Sequence, residues 1–136
     1  MDEQQQWLRA QAYVGREYIP GQYDCAHLAI DVQRELFDRQ ISLPAPHRLG
    51  RAGQVAQIRA LRDELAIRID KPQHGCGVLV TTALERGPQW HIGTVLIHHG
   101  DPWVLHNSAH LGSAALHRLA DFARRGQAIE GFYRWK

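Results

Sequence analysis

Cys25 follows Asp24 in the stretch "YIPGQYDCAHLAIDVQREL" and stands at the head of a run with helical spacing. The attacking form of cysteine is the thiolate, and helix N-termini favour anions. Free backbone N–H groups at that end can also hold a developing oxyanion. A cysteine in a first helical turn is therefore a candidate nucleophile. Packing is the competing reading, because free cysteine is among the most buried residue types. A thiolate needs a base, and the base needs a partner that orients it. "WHIGTVLI" offers His91 at the start of a β-type run, and "WVLHN" offers His106 at the end of the next. If those runs are antiparallel neighbours, the two imidazoles can lie side by side near the sheet edge. His91 can then share a proton with Cys25 while His106 or Asn107 fixes its tautomer. Taken singly, both histidines also read as polar residues at strand ends.

Nine histidines make metal worth testing, and His98-His99 and His106/His110 are the candidate pairs. No CxxC or HExxH occurs, and "HNSAH" is the only pair at helical spacing, so no metal and no cofactor is expected. The second cysteine, Cys76, lies between glycines in a strand-like run and is expected to pack. A Cys25–Cys76 disulfide finds no support in the rest of the composition.

The elements that must position these residues follow from periodicity. Residues 1 to about 15 read as a helix with Trp7, Leu8, Ala12 and Tyr13 on its apolar side. Residues 15–24 read as a loop. From Cys25, the apolar Ala26, Leu28, Ala29, Val32, Leu36 and Phe37 recur at helical spacing, with Asp24 as N-cap. "ISLPAPHRLGRAG" reads as a connection and "QVAQIRALRDELAIRI" as a further helix. "GCGVLVTTAL" and "HIGTVLIHH" are β-branched runs separated by the turn-like "ERGPQ", and "PWVLHNS" is a third short strand. "LHRLADFARRGQ" reads as a late helix or helical turn, and "AIEGFYRWK" as a closing strand. Helices first and an antiparallel sheet after them is the α+β pattern.

At 136 residues the chain suits one domain, 1–136, able to bury a core without staples. Its formal net charge of +2, with unclustered basic residues, argues against nucleic acid. No apolar run approaches a membrane span. "MDEQQQWLRA" lacks a basic n-region and an apolar h-region, so no Sec signal is expected.

Together these pieces resemble the NlpC-type (NlpC/p-sixty) branch of papain-like cysteine peptidases. "GREYIPGQYDCAHL" is similar to the loop and helix start that carry the family's nucleophile. "HGCGVLV" followed by "HIGTVLIHHGDPWVLHNS" is similar to its histidine-bearing strands. The phage tail-assembly subgroup fits best, on "YDCAHLAIDVQRELFDRQISLP" and "IEGFYRWK". The resemblance implies a papain-like α+β domain with the nucleophile helix packed on an antiparallel sheet. It implies Cys25 as nucleophile, His91 as general base and His106 as the orienting third residue, with Asn107 and His110 as rivals. Tyr18 and Asp24 match residues at the substrate and oxyanion side. The implied activity is metal-free hydrolysis of peptide bonds in peptidoglycan stem peptides. The protein would act at the bacterial cell wall, carried on a virion tail or present in the host cytoplasm before assembly. Implied partners are the stem peptide and other phage tail proteins. Two departures stand out: Ala26-His27 replaces the usual Ser-Gly, and Cys76 replaces an Asp. An amidase or acyltransferase on the same scaffold and a non-enzymatic tail-tip domain are the alternatives.

Overall fold

Asp2 and Asp24 each start a helix by accepting first-turn amides that have no partner inside it. The computed structural model describes residues 1–43, 59–82 and 89–136. In it, helix α1 spans Glu3–Gln11 and α2 spans Cys25–Phe37. Helix α1 is shorter than its periodicity predicts. Trp7 and Ala10 are buried, but Leu8 is 59% exposed and Ala12 lies past the last turn in the open. The apolar stripe of α1 is therefore narrow and continues into Tyr13 beyond its end. Helix α2 follows its spacing closely, burying Leu28, Ala29, Val32 and Leu36. Each of the Leu and Val side chains so removed from water contributes about 1.5–3 kcal/mol.

Six strands follow: β1 (Ala66–Ile69), β2 (Gly77–Thr82), β3 (Gln89–His98), β4 (Asp101–Ser108), β5 (Ser113–Arg118) and β6 (Gln127–Trp135). All pairings are antiparallel, in the order β1-β6-β2-β3-β4-β5. The α+β expectation holds at this level. One face of the sheet packs Leu79, Ile92, Leu96, Leu105 and Ala114 against α1 and α2. The other gathers Val78, Val80, Val95 and Val104 under Phe122. The alternation of inward positions along each strand is the ordinary two-residue period.

Two segments read as helical hold in part and give up one end each to a strand. In the segment 54–69, residues 59–60 are helical, Leu61–Leu65 form a π-type turn, and Ala66–Ile69 pair with β6 as an edge strand. "LHR" completes β5, and only Leu119–Asp121 and Ala123–Arg125 turn, each as a single 3-10 turn. In both places a neighbouring strand offers a row of unpaired backbone groups, and that long-range pairing outweighs local helical propensity. The "lP" connection after Leu43 and most of "ERGPQ" lie outside the described residues.

A buried polar strut ties α1, α2 and β3 together. Gln6 donates to the Leu36 carbonyl at 2.8 Å, and His74 Nε2 lies 2.6 Å from Gln6 Oε1. His74 Nδ1 accepts from the Ile97 amide at 2.9 Å, so the proton sits on Nε2 and the ring is neutral. Cys76 is buried on the Phe122 face, accepts from the Gln73 amide, and has its thiol pKa pushed up by burial. Both cysteines are free. Trp103 packs edge-on to Trp7 at 5.2 Å and Trp135 is buried.

Candidate functional site

Cys25 is the first residue of α2 and is 2% exposed. Asp24 Oδ1 accepts from the Ala26 and His27 amides at 3.0 and 3.1 Å, and His27 Nδ1 lies 2.8 Å from the same oxygen. The Asp24 carbonyl accepts from Leu28. Among the described residues, the Cys25 N–H is then the first-turn amide that meets no acceptor. Asp24 itself is fully buried as the cap of α2. A carboxylate accepts and cannot donate to an oxyanion. At this end the group able to donate to a developing oxyanion is the Cys25 N–H.

The loop before α2 is pinned to β5. Glu17 bridges Ser113, and the Tyr18 amide donates to the Gly112 carbonyl at 2.9 Å. Asn107 Nδ2 donates to the Tyr23 carbonyl at 3.0 Å, which ties the same loop to the end of β4. Tyr18 has its phenol pKa pushed up to about 12, by burial first and then by Cys25 and Asp24. It stays an O–H donor beside the thiol across the neutral range.

Strands β3 and β4 pair so that Gly93 faces His106 directly. His91, one step along the same face, reaches diagonally across: its Nε2 lies 3.1 Å from His106 Nδ1, with the rings stacked at 5.2 Å. Of the three rivals for this position, His106 makes the contact. Asn107 turns to the Tyr23 carbonyl, and His110 stands exposed in the following turn. Both paired rings are buried, and burial pushes the His91 pKa down to about 4 and that of His106 well below its ordinary value. Both are neutral near pH 7, and the engagement of Nε2 leaves Nδ1 as the nitrogen of His91 available to a thiol.

Comparison of the chain with family models, with curated proteins and with solved structures returns no match. The site must therefore be argued from its geometry. Cys25 packs in one cluster with Leu79 and Ile92, and Ile92 is the residue after His91. Alternation along β3 sends Ile92 toward α2 and His91 to the opposite side, with its partner Val80. Cys25 and His91 therefore lie against opposite faces of β3.

One member of the histidine cluster escaped the reading of the sequence. His106 Nε2 lies 3.0 Å from His117 Nδ1, so three imidazoles form a chain from β3 through β4 to β5. Phe122 covers it, 5.1 Å from the His106 ring and 6.1 Å from that of His117. The helical reading of "LHRLADFARRGQ" hid this residue. The signal for it is the alternation of Ala115 and His117 with Ala114 and Leu116 directly after Gly112. Among the described residues no cluster of histidine, cysteine and carboxylate converges as a metal site would.

Gly93 explains the glycine after "HI". A Cβ there would stand 2.6 Å from Val104 Cγ1 and 3.2 Å from His106 Cβ. Gly93→Ala is expected to cost about 1–3 kcal/mol and to push His106 away from His91. Thermal unfolding and the rate of Cys25 alkylation check this together. Unchanged values of both would refute the close-approach account.

Proposed function

We propose that the chain is an NlpC-type cysteine hydrolase that cleaves peptide bonds in bacterial peptidoglycan stem peptides, as part of a phage or prophage tail. The observation that carries the reading is the buried His91–His106 pair, linked through Nε2 and Nδ1, in a chain that also sets a cysteine in the first turn of a helix. This is the polarity that a base facing a thiol requires. In the proposed reaction Cys25 Sγ attacks the scissile carbonyl carbon while His91 Nδ1 takes the thiol proton. The Cys25 N–H and the Tyr18 O–H face the oxyanion. Collapse expels the amine, which takes the proton back from His91, and leaves a thioester. Water then attacks the thioester, giving its proton to His91, and the thiol is restored. His106 holds the ring and stabilises the imidazolium by accepting from Nε2–H. No step calls for a metal or an organic cofactor, and no helix among the described residues is long and apolar enough to cross a membrane.

The substrate class is tested by incubating equal amounts of protein with defined muropeptides and with denatured casein, followed by mass spectrometry. Muropeptide cleavage without casein cleavage is expected. Casein cleavage alone would reject the wall-peptide reading and leave the thiol mechanism standing. Transfer of the acyl group to an added amine, in place of hydrolysis, would mark an acyltransferase. Tyr18→Phe is expected to lower kcat roughly tenfold or more, with KM little changed. An unchanged kcat would remove Tyr18 from the oxyanion site.

One observation favours a non-enzymatic tail-assembly role instead. Ile92, and not His91, shares the thiol's cluster. If the two never meet, Cys25 is a packing residue.

A further inference from the structure

The imidazole chain has a direction, and the outermost ring can set it. A neutral imidazole carries one N–H, so one ring nitrogen donates and the other accepts. His91 Nε2 meets His106 Nδ1, and His106 Nε2 meets His117 Nδ1. Only two patterns place one hydrogen in each link. In the first, every ring carries its proton on Nε2, and His91 Nδ1 is a lone pair. In the second, every ring carries it on Nδ1, and His91 Nδ1 is an N–H that cannot accept a proton from a thiol. His106 is fully buried and His91 is 9% exposed, whereas His117 is only partly buried.

We propose that His117 is a positioning residue that sets the tautomer of His106 and, through it, of His91, so that protonation of the partly exposed ring switches the buried base off. The proposal rests on the reading of His91 as the base. Neutral His117 can accept at Nδ1 from His106 Nε2–H, which selects the first pattern. Protonated His117 carries hydrogen on both nitrogens and can only donate at Nδ1. His106 must then accept at Nε2 and move its own proton to Nδ1, and His91 must follow. The balance is the uptake of one proton from water: the hydrogen of His106 Nε2–H passes to His117 Nδ1, that of His91 Nε2–H passes to His106 Nδ1, and water supplies the hydrogen that His91 Nδ1 gains.

The charged groups facing His117 come from the two 3-10 turns: Arg125 opposes its protonation and Asp121 favours it, and burial opposes it most. Asp121 is also held by Arg124. From β4 the facing titratable group is His106, which is neutral, and Phe122 contributes only its ring. Acidification therefore reaches His117, the ring nearest water, before the two buried rings.

The direct test uses nitrogen-15 imidazole shifts in Cys25→Ala protein, which need no activity. At about pH 8 the proton is expected on Nε2 of both His91 and His106. As pH falls and His117 titrates, both are expected to move to Nδ1–H together. An Nδ1–H on His91 at the alkaline end, or a tautomer indifferent to His117, would overturn the proposal. The kinetic test compares pH profiles of kcat on muropeptides. His117→Ala is expected to lower kcat about tenfold without raising KM. His117→Asn, which offers a non-titrating oxygen near the Nδ1 position, is expected to recover part of that loss and to erase the acid limb set by His117. Identical pH profiles for wild type and His117→Asn would refute the switch. If wild-type protein cleaves no muropeptide, the peptidase reading fails, while the nitrogen shifts still decide the direction of the chain.

Discussion

Cys25→Ala is expected to lower muropeptide hydrolysis roughly a thousandfold or more while the fold persists. The sulfur forms the covalent bond, and neither the Cys25 amide nor Tyr18 can replace it. The structural cost is small, because alanine keeps the helix start and Asp24 keeps its bonds to the Ala26 and His27 amides. The void left by one sulfur atom costs about 1 kcal/mol, a shift of a few degrees in thermal unfolding. Mass spectrometry of sacculi digested with wild-type and variant protein reads the activity, and circular dichroism reads the fold. His91→Ala is expected to fall nearly as far, and His106→Ala less, because the orienting ring transfers no proton. Iodoacetamide labelling adds an independent check. Cys25 is expected to label in the native state and Cys76, packed under Phe122, to label only on unfolding. Sustained hydrolysis by Cys25→Ala would end the nucleophile assignment. Equal inertness of both thiols in wild-type protein would favour the tail-assembly role.

The second large effect is loss of stability in mild acid, through histidines that are buried neutral. The His91 pKa is pushed down to about 4, that of His106 lies well below its ordinary value, and burial also lowers that of His74. An unfolded histidine titrates near about 6.5. Above that pH neither state binds the proton, and the native state keeps its full stability. As pH falls below it, the unfolded chain takes up protons that the folded one refuses, so stability drops. The drop from His91 ends near its folded value, and that residue alone accounts for roughly 3 kcal/mol. A domain of this size has about 5–15 kcal/mol in total, so the transition should be visible well above the range where carboxylates titrate. Urea unfolding at successive pH values measures it. The His91→Gln variant should lose part of the slope between about 6.5 and 4. A flat profile in that window for wild-type protein would contradict the buried, neutral state of the pair.

Helix α2 and its cap were legible because they depend on neighbours in sequence. The apolar run from Cys25 and the carboxylate of Asp24 satisfy the first turn locally, whatever packs above. The β-branched runs of β2, β3 and β4 were legible for the same reason, as was the order of thiol, first histidine and second histidine along the chain. From that order came the expectation that His91 and His106 stand side by side, and the one-residue register of β3 on β4 made it so. Register decides which side chains share a face, and it belongs to the pair of strands rather than to either. For that reason the rivalry of His106, Asn107 and His110 could not be resolved from the chain alone. In the fold Asn107 turns to the Tyr23 carbonyl on the helix side, and His106 lies on the other side in contact with His91. Residues 66–69 and 116–118 were misjudged because their helical propensity is local and their strand pairing is not. The second misjudgement concealed His117, whose contact with His106 exists only once β5 lies on β4. Sequence alone determined which residue types could do thiol chemistry and which helix would present the cysteine. The sheet decided which imidazoles touch and on which side of β3 they lie, because both depend on backbone pairing between residues far apart in the chain.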